Sequence, residues 1–211
     1  MKLPRVYPIL DTQLLSTKGC DAETAAIAWL DGGARIMQFR HKGPWTREVF
    51  DQAARIGAQC RGRGAGFLVN DRADMARLLE AGLHVGQDDL VPLDARRLID
   101  EKAMLGYSTH NPRQIEAAAT EPVDYLAIGP IYATRSKQNP DPVIGLDGFA
   151  PCRALCSRPL VAIGGITRKT APALFAAGAD AVAVIGDLLP ETCTGAALRR
   201  RMEEWQQLAQ N

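Results

Sequence analysis

The chain has 211 residues, is 46% hydrophobic and carries a net charge of +1. That is enough apolar material for one buried core, and too little charge to argue for nucleic acid or a membrane surface as partner. No apolar run approaches the roughly 18 residues that a bilayer span needs.

Eight short apolar runs follow one another: residues 6–10, 36–40, 67–70, 83–86, 104–108, 125–129, 160–165 and 181–186. Those from the second, third, sixth, seventh and eighth runs are rich in Ile, Val, Ala and Leu, as strands covered on both faces are. Helical stretches lie between them. Residues 21–30 form one, capped by Asp21 and stopped by Gly32 and Gly33. Residues 44–63 form a longer one, with Pro44 in its first turn and Gly62 and Gly64 at its end. Residues 72–81 and 93–101 follow. Then come 112–119, with Asn111 as cap, and 169–177, with Thr167 as cap. Residues 194–209 close the chain as a charged, solvated helix in which Glu203 and Glu204 follow Arg199, Arg200 and Arg201. One long polar loop, residues 133–145, stands out. Loops of that length in compact domains usually work, so it reads as a lid hinged near Gly129 and Gly145.

Strand and helix in this alternation predict a single-domain (β/α)8 TIM barrel over residues 1–211, with its active site at the C-terminal strand ends. Five cysteines, Cys20, Cys60, Cys152, Cys156 and Cys193, are an odd number without a C-x-x-C pair. They read as free thiols. The Met1-Lys2-Leu3-Pro4-Arg5 start leads into a strand and not into a signal-peptide core, so a reducing cytoplasm is expected.

The strand ends carry the chemistry. Gln38, Arg40 and Lys42 alternate onto one side of the second strand. Arg40 offers a planar fork for phosphate and Lys42 a point charge. Asp71 follows the third strand and Asp89 the loop after the fourth. Two carboxylates on neighbouring loops, with cations beside them, suit Mg2+, a hard ion that leaves its other positions to water and substrate phosphate. The same two residues could instead cap the helices that follow. Gly164, Gly165 and Gly186, after strands seven and eight, stand where this barrel usually binds phosphate; close strand–loop packing would call for the same glycines. Ser108 ends the fifth strand and could donate to a heterocycle nitrogen, with His110 two residues on. Thr134, Ser136 and Lys137 put donors on the lid.

As a set these segments resemble the thiamine-phosphate synthase and thiazole tautomerase family. The segments are 38–42 (Gln-Phe-Arg-His-Lys), 69–72 (Val-Asn-Asp-Arg), 84–89, 106–110, 129–137 and 162–166. They keep the family's order and spacing from strand two to strand eight. The resemblance implies joining a hydroxymethylpyrimidine diphosphate to a hydroxyethylthiazole phosphate, giving thiamine phosphate and diphosphate. It implies one Mg2+ per subunit, held by Asp71 and Asp89, small-molecule substrates as partners, and self-association as a homo-oligomer. Arg40, Lys42, Lys137 and Ser108 would be catalytic. Gln38, Arg40, Lys42, Asn70 and Lys137 would cradle the diphosphate, with Ser108 on the pyrimidine, and Phe39, His41 and Arg135 would belong to the substrate-binding set without an assigned side. Thr134, Ser136, Gly165, Ile185 and Gly186 would line the thiazole phosphate side. Four positions depart from the family pattern. Phe39 and His41 stand where Leu and Glu are usual, Ser136 replaces a Thr, and Gly186 replaces a Ser. Loss of the Glu beside Arg40 implies a looser hold on that guanidinium. Two other functions fit the same resemblance: a tautomerase using His110 as acid or base without a metal, and a non-catalytic protein binding a thiamine precursor.

Overall fold

The computed structural model describes residues 3–134 and 141–210. Among them, eight parallel strands close a barrel in chain order: β1 (Val6–Asp11), β2 (Ile36–Arg40), β3 (Gly66–Asn70), β4 (Gly82–Val85), β5 (Leu105–Thr109), β6 (Tyr125–Ile128), β7 (Leu160–Ile163) and β8 (Ala181–Val184). Closure comes from β1, which pairs Ile9 with Gln38 on one side and Val6 with Val182 on the other.

Side-chain alternation sorts each strand into two cores. Tyr7, Ile9, Leu68, Tyr125, Val161 and Ala183 fill the barrel interior. Val6, Leu10, Phe39, Val69, Ala162 and Val184 face outward, under the helices. Both faces are dry, which explains the near-continuous apolar runs.

The outer layer is α1 (Thr12–Thr17), α2 (Ala22–Asp31), α3 (Arg47–Gly62), α4 (Ala73–Leu78), α5 (Pro92–Leu98), α6 (Pro112–Ala117), α7 (Gly145–Leu155), α8 (Ala171–Ala176) and α9 (Gly195–Gln210). Asp21 and Asn111 cap α2 and α6 through side-chain oxygens, at 2.7 Å and 3.0 Å, as expected. Pro44 lies before its helix, which starts at Arg47 with Thr46 as cap. The cap residue of α8 is Thr170 and not Thr167. The α1 and α7 helices have no counterpart in the sequence pattern: α1 is only a turn and a half, with Leu15 as its one buried residue, and α7 holds Gly148 and Pro151. The last helix is more than solvated surface. Leu198, Met202 and Trp205 are buried, and α9 packs against α2 so tightly that a Cβ on Gly32 would lie 2.8 Å from the Arg199 carbonyl oxygen.

The cysteines depart from expectation. Cys20, after α1, and Cys193, before α9, form a disulfide across 173 residues, with Cα atoms 5.3 Å apart. Barrel closure brings the first and last βα connections together, a proximity that sequence spacing cannot express. Cys60, Cys152 and Cys156 are free and buried, as expected. No helix among the described residues is long and apolar enough to cross a membrane.

Candidate active site

An open cavity of about 1490 Å3 lies at the C-terminal ends of the strands, bordered by loops from all round the barrel. The rim residues singled out from sequence reach it unequally.

Asp11, the last residue of β1, sits beside Arg40 in register, and its carboxylate does two things. Oδ1 accepts the Leu14 N–H at 2.9 Å, capping α1, and Oδ2 pairs with the Arg40 guanidinium. Arg40 therefore takes its aim from Asp11, and the change at position 41 does not free it. His41 has a separate task. Its Nε2 donates to the Pro44 carbonyl at 3.2 Å, so Nδ1 accepts the Thr12 hydroxyl at 2.8 Å. The ring thus ties the β2–α3 connection to α1. Phe39 turns away from the cavity: it is fully buried under the helices, 5.7 Å from the Trp45 ring centre. Gln38 is only 2% exposed and lies below the rim, donating to the Tyr7 hydroxyl at 3.0 Å.

The acid pair is where the structure decides between two readings. Neither carboxylate caps a helix: the cap residues of α4 and α5 are Arg72 and Val91, without side-chain bonds. Asp71 instead holds a left-handed backbone at φ +63°, a conformation that costs a non-glycine residue about 1–3 kcal/mol and gathers at functional sites. Its N–H bonds the His84 carbonyl at 2.8 Å and its carboxylate pairs with Lys42. Asp89 accepts the Gly86 N–H at 2.7 Å. Burial raises its pKa from the ordinary aspartate value, against the Gly86 N–H bond and with help from the neighbouring Asp71 carboxylate. Two acids repelling at one rim are a donor set that a cation would relieve. Among the described residues no group of three or more His, Cys, Asp or Glu side chains converges into a metal cage. A pair alone fits Mg2+, which keeps water and phosphate in its remaining positions. Next to the pair, the Asn70 Oδ1 is buried without a hydrogen-bond partner among the described residues.

Ser108 Oγ lies 2.8 Å from Nε2 of His84, and its carbonyl accepts from Gln87 Nε2 at 2.6 Å. Burial pulls the His84 pKa down to about 4, against the attraction of Asp89. The ring is neutral in ordinary conditions. Its Nδ1 lies 2.8 Å from the Tyr125 hydroxyl, which in turn is 2.9 Å from that of Tyr7. Burial pushes Tyr7 up to about 12 and Tyr125 well above its ordinary value, so both phenols keep their protons.

On the far side, Gly164 and Gly165 adopt φ of +100° and +62°. The β6 connection crosses directly over them: Ile131 and Tyr132 donate to the Ile163 and Gly164 carbonyls at 2.8 Å and 3.0 Å. A Cβ on Gly164 would meet Pro130 Cα at 2.6 Å. Close packing therefore accounts for these glycines, and both also border the cavity. Gly186 is exposed and opens a tight turn, Gly186–Leu188, with Ile185 and Thr134 also on the cavity wall. Asp187 accepts from Arg168 Nε at 2.9 Å, bracing the loops after β7 and β8 against each other. His110 bonds the Gly129 carbonyl through Nδ1 at 2.6 Å and turns Nε2 toward Asp141, 3.5 Å away. Arg135, Ser136 and Lys137, with residues 138–140 of the expected lid, fall outside the described residues.

A family model described as thiamine monophosphate synthase matches residues 6–188. The chain belongs to that family. It is 44% identical over 211 residues to the thiamine-phosphate synthase of Koribacter versatilis, covering 99% of this chain and 97% of that one. With the thiamine-phosphate synthase of Chloroflexus aurantiacus it shares 39% identity, over 93% of this chain and 90% of the other. Among solved structures, the thiamine phosphate pyrophosphorylase of Pyrococcus furiosus superposes with a TM-score of 0.84 at 26% identity, covering 98% and 95% of the two chains. The barrel expected from the strand rhythm is the thiamine monophosphate synthase family's barrel in this chain. Asp11, Thr12, Tyr7, His84 and Tyr125 are the site residues that sequence reading did not single out. Only Asp11, a carboxylate closing an apolar run, carried a usable signal.

Proposed function

We propose that the protein is a thiamine-phosphate synthase, joining 4-amino-2-methyl-5-hydroxymethylpyrimidine diphosphate to 4-methyl-5-hydroxyethylthiazole phosphate, with diphosphate as the leaving group. The carrying observation is the Asp71–Asp89 pair, free of any capping duty and flanked by Lys42 and Arg40. Asp71 and Asp89 would hold Mg2+. When bound, the ion supplies positive charge where the leaving diphosphate develops negative charge.

Leaving-group departure needs electrostatic stabilisation more than proton transfer, and the chain's own groups are of that kind. Arg40, aimed by Asp11, and Lys42 bind the diphosphate from β2, with Asn70 beside them and Lys137 from the lid. Ser108 orients the pyrimidine. Thr134, Arg135, Ser136, Gly165, Ile185 and Gly186 receive the thiazole phosphate, where backbone N–H groups stand in for the hydroxyl that Gly186 lacks. Gln38, His41 and Phe39 support the site from behind: the first below the rim, the second pinning its loop, the third under the helices. Closure of the 133–145 loop keeps water from the pyrimidine cation. The cytoplasm is the proposed setting, where Cys20 and Cys193 would meet a reducing pool.

The test is product formation from the two substrates with Mg2+ and then with excess chelator. Thiamine phosphate that forms with the metal and stops with the chelator supports the reading. Folded protein that forms none under either condition overturns it. The Asp71→Ala protein, folded, should lose the reaction; wild-type turnover in that variant would remove Asp71 from the assignment.

A further inference from the structure

Five polar side chains from five different strands meet inside the barrel. Gln38 of β2, Tyr7 of β1, Tyr125 of β6, His84 of β4 and Ser108 of β5 form one unbroken chain of hydrogen bonds of 3.0, 2.9, 2.8 and 2.8 Å. The first four are buried, in an interior otherwise lined by Ile, Leu, Val and Ala. So long a polar thread in a dry core needs every member satisfied. Gly106 makes room for it. That residue is in register with both His84 and Tyr125, and a Cβ there would come within 2.5 Å of His84 Nδ1. The His84 and Tyr125 rings stack over the gap at an angle of 25°.

We propose that this thread is a one-way relay that makes Ser108 a hydrogen-bond donor toward the cavity, with His84 as its positioning residue. The direction follows from counting protons. The Gln38 amide N–H occupies the acceptor side of Tyr7. Tyr7, with one proton and one remaining neighbour, gives it to Tyr125. Tyr125 has then received a proton and must give its own to Nδ1 of His84. A neutral imidazole that accepts at Nδ1 carries its proton on Nε2, and Nε2 faces Ser108 Oγ. Ser108 accepts there, so its own hydroxyl proton points into the cavity that Ser108 lines. The donor selects a heterocycle offering a bare ring nitrogen and disfavours one that presents N–H at the same place. The link to a pyrimidine rests on the proposed function; the polarity of the relay does not.

Nitrogen-15 NMR of ring-labelled histidine in the full-length protein tests the relay directly. The His84 signal is identified as the one missing from His84→Gln. Wild-type protein at pH 7 should show a single neutral Nε2–H tautomer for His84. An Nδ1–H tautomer, or a ring protonated on both nitrogens, overturns the proposal whether or not the protein makes thiamine phosphate. In the conservative variant Tyr7→Phe, Tyr125 is released from its acceptor role, so the Nδ1–H form should appear beside the Nε2–H form. Turnover should fall roughly tenfold, the scale of a lost orienting hydrogen bond, with KM for the thiazole phosphate within about twofold of wild type. A Tyr7→Phe protein that keeps one tautomer and full turnover overturns the inheritance of direction from Tyr7. A wild-type ring as expected, in a protein without synthase activity, supports the relay and defeats only the function assigned to it.

Discussion

A guanidinium at the mouth of a barrel has many rotamers, and Asp11 leaves Arg40 few of them: the pair is almost buried, with side-chain exposures of 6% and 17%. The same carboxylate caps α1, so two substitutions separate its tasks. Asp11→Asn keeps a capping oxygen and removes the charge; it should lower kcat/KM for the pyrimidine diphosphate about tenfold, as one charge-assisted contact is lost. Asp11→Ala should show the same kinetic loss and about 1 kcal/mol more destabilisation in urea titration, the usual worth of an N-cap. Equal stabilities would remove the cap from the account. His84 predicts a pH dependence. Its folded pKa is lowered to about 4 against 6.5 for the free side chain. Between those values the unfolded chain binds the proton more readily, so stability is whole above pH 6.5 and is lost as pH falls toward 4. The loss is about 3 kcal/mol at 1.36 kcal/mol per pKa unit. Urea unfolding at pH 7 and pH 4.5 should show it in wild type and much less of it in His84→Gln. At this scale the rim was legible because carboxylates, cations and glycines at strand ends are local signals. The relay was not, because Gln38, Tyr7, Tyr125, His84 and Ser108 are neighbours only after five strands have closed on one another.

Elements divide along the same line. The strands announced themselves, since each is short, apolar and bounded by turn residues, and both of their faces are dry. The α7 helix did not, because Gly148 and Pro151 make its sequence read as the tail of the loop before it. Asp71 and Asp89 looked equally good as caps, and only the observed caps of α4 and α5 at Arg72 and Val91 separated the two meanings. The loop after β7 shows how one element fixes another. Gly165→Ala would strain a residue at φ +62° and push on Tyr132 Cβ, 2.8 Å from the new methyl. The expected result is about 1–2 kcal/mol of lost stability and a KM for the thiazole phosphate raised several-fold, because the β6 connection must shift. A KM unchanged in the folded variant would show that this connection does not border the phosphate.

At the scale of the molecule, the seam between β1 and β8 is held three ways: by strand pairing, by α9 against α2, and by Cys20–Cys193. With 173 residues between the two cysteines, the chain-entropy account allows the bond up to about 5 kcal/mol. Reductant should therefore lower the melting temperature of wild type and leave Cys20→Ser unchanged. A wild-type melt indifferent to reductant would mean that the strand pairing and helix packing hold the seam by themselves. Residues 20 through 193 and their bond form a covalent ring that encloses nearly the whole barrel. One cut of the backbone anywhere inside that ring would release nothing covalently: on a denaturing gel the nicked protein would run as a single species until a thiol was added, and only then as two.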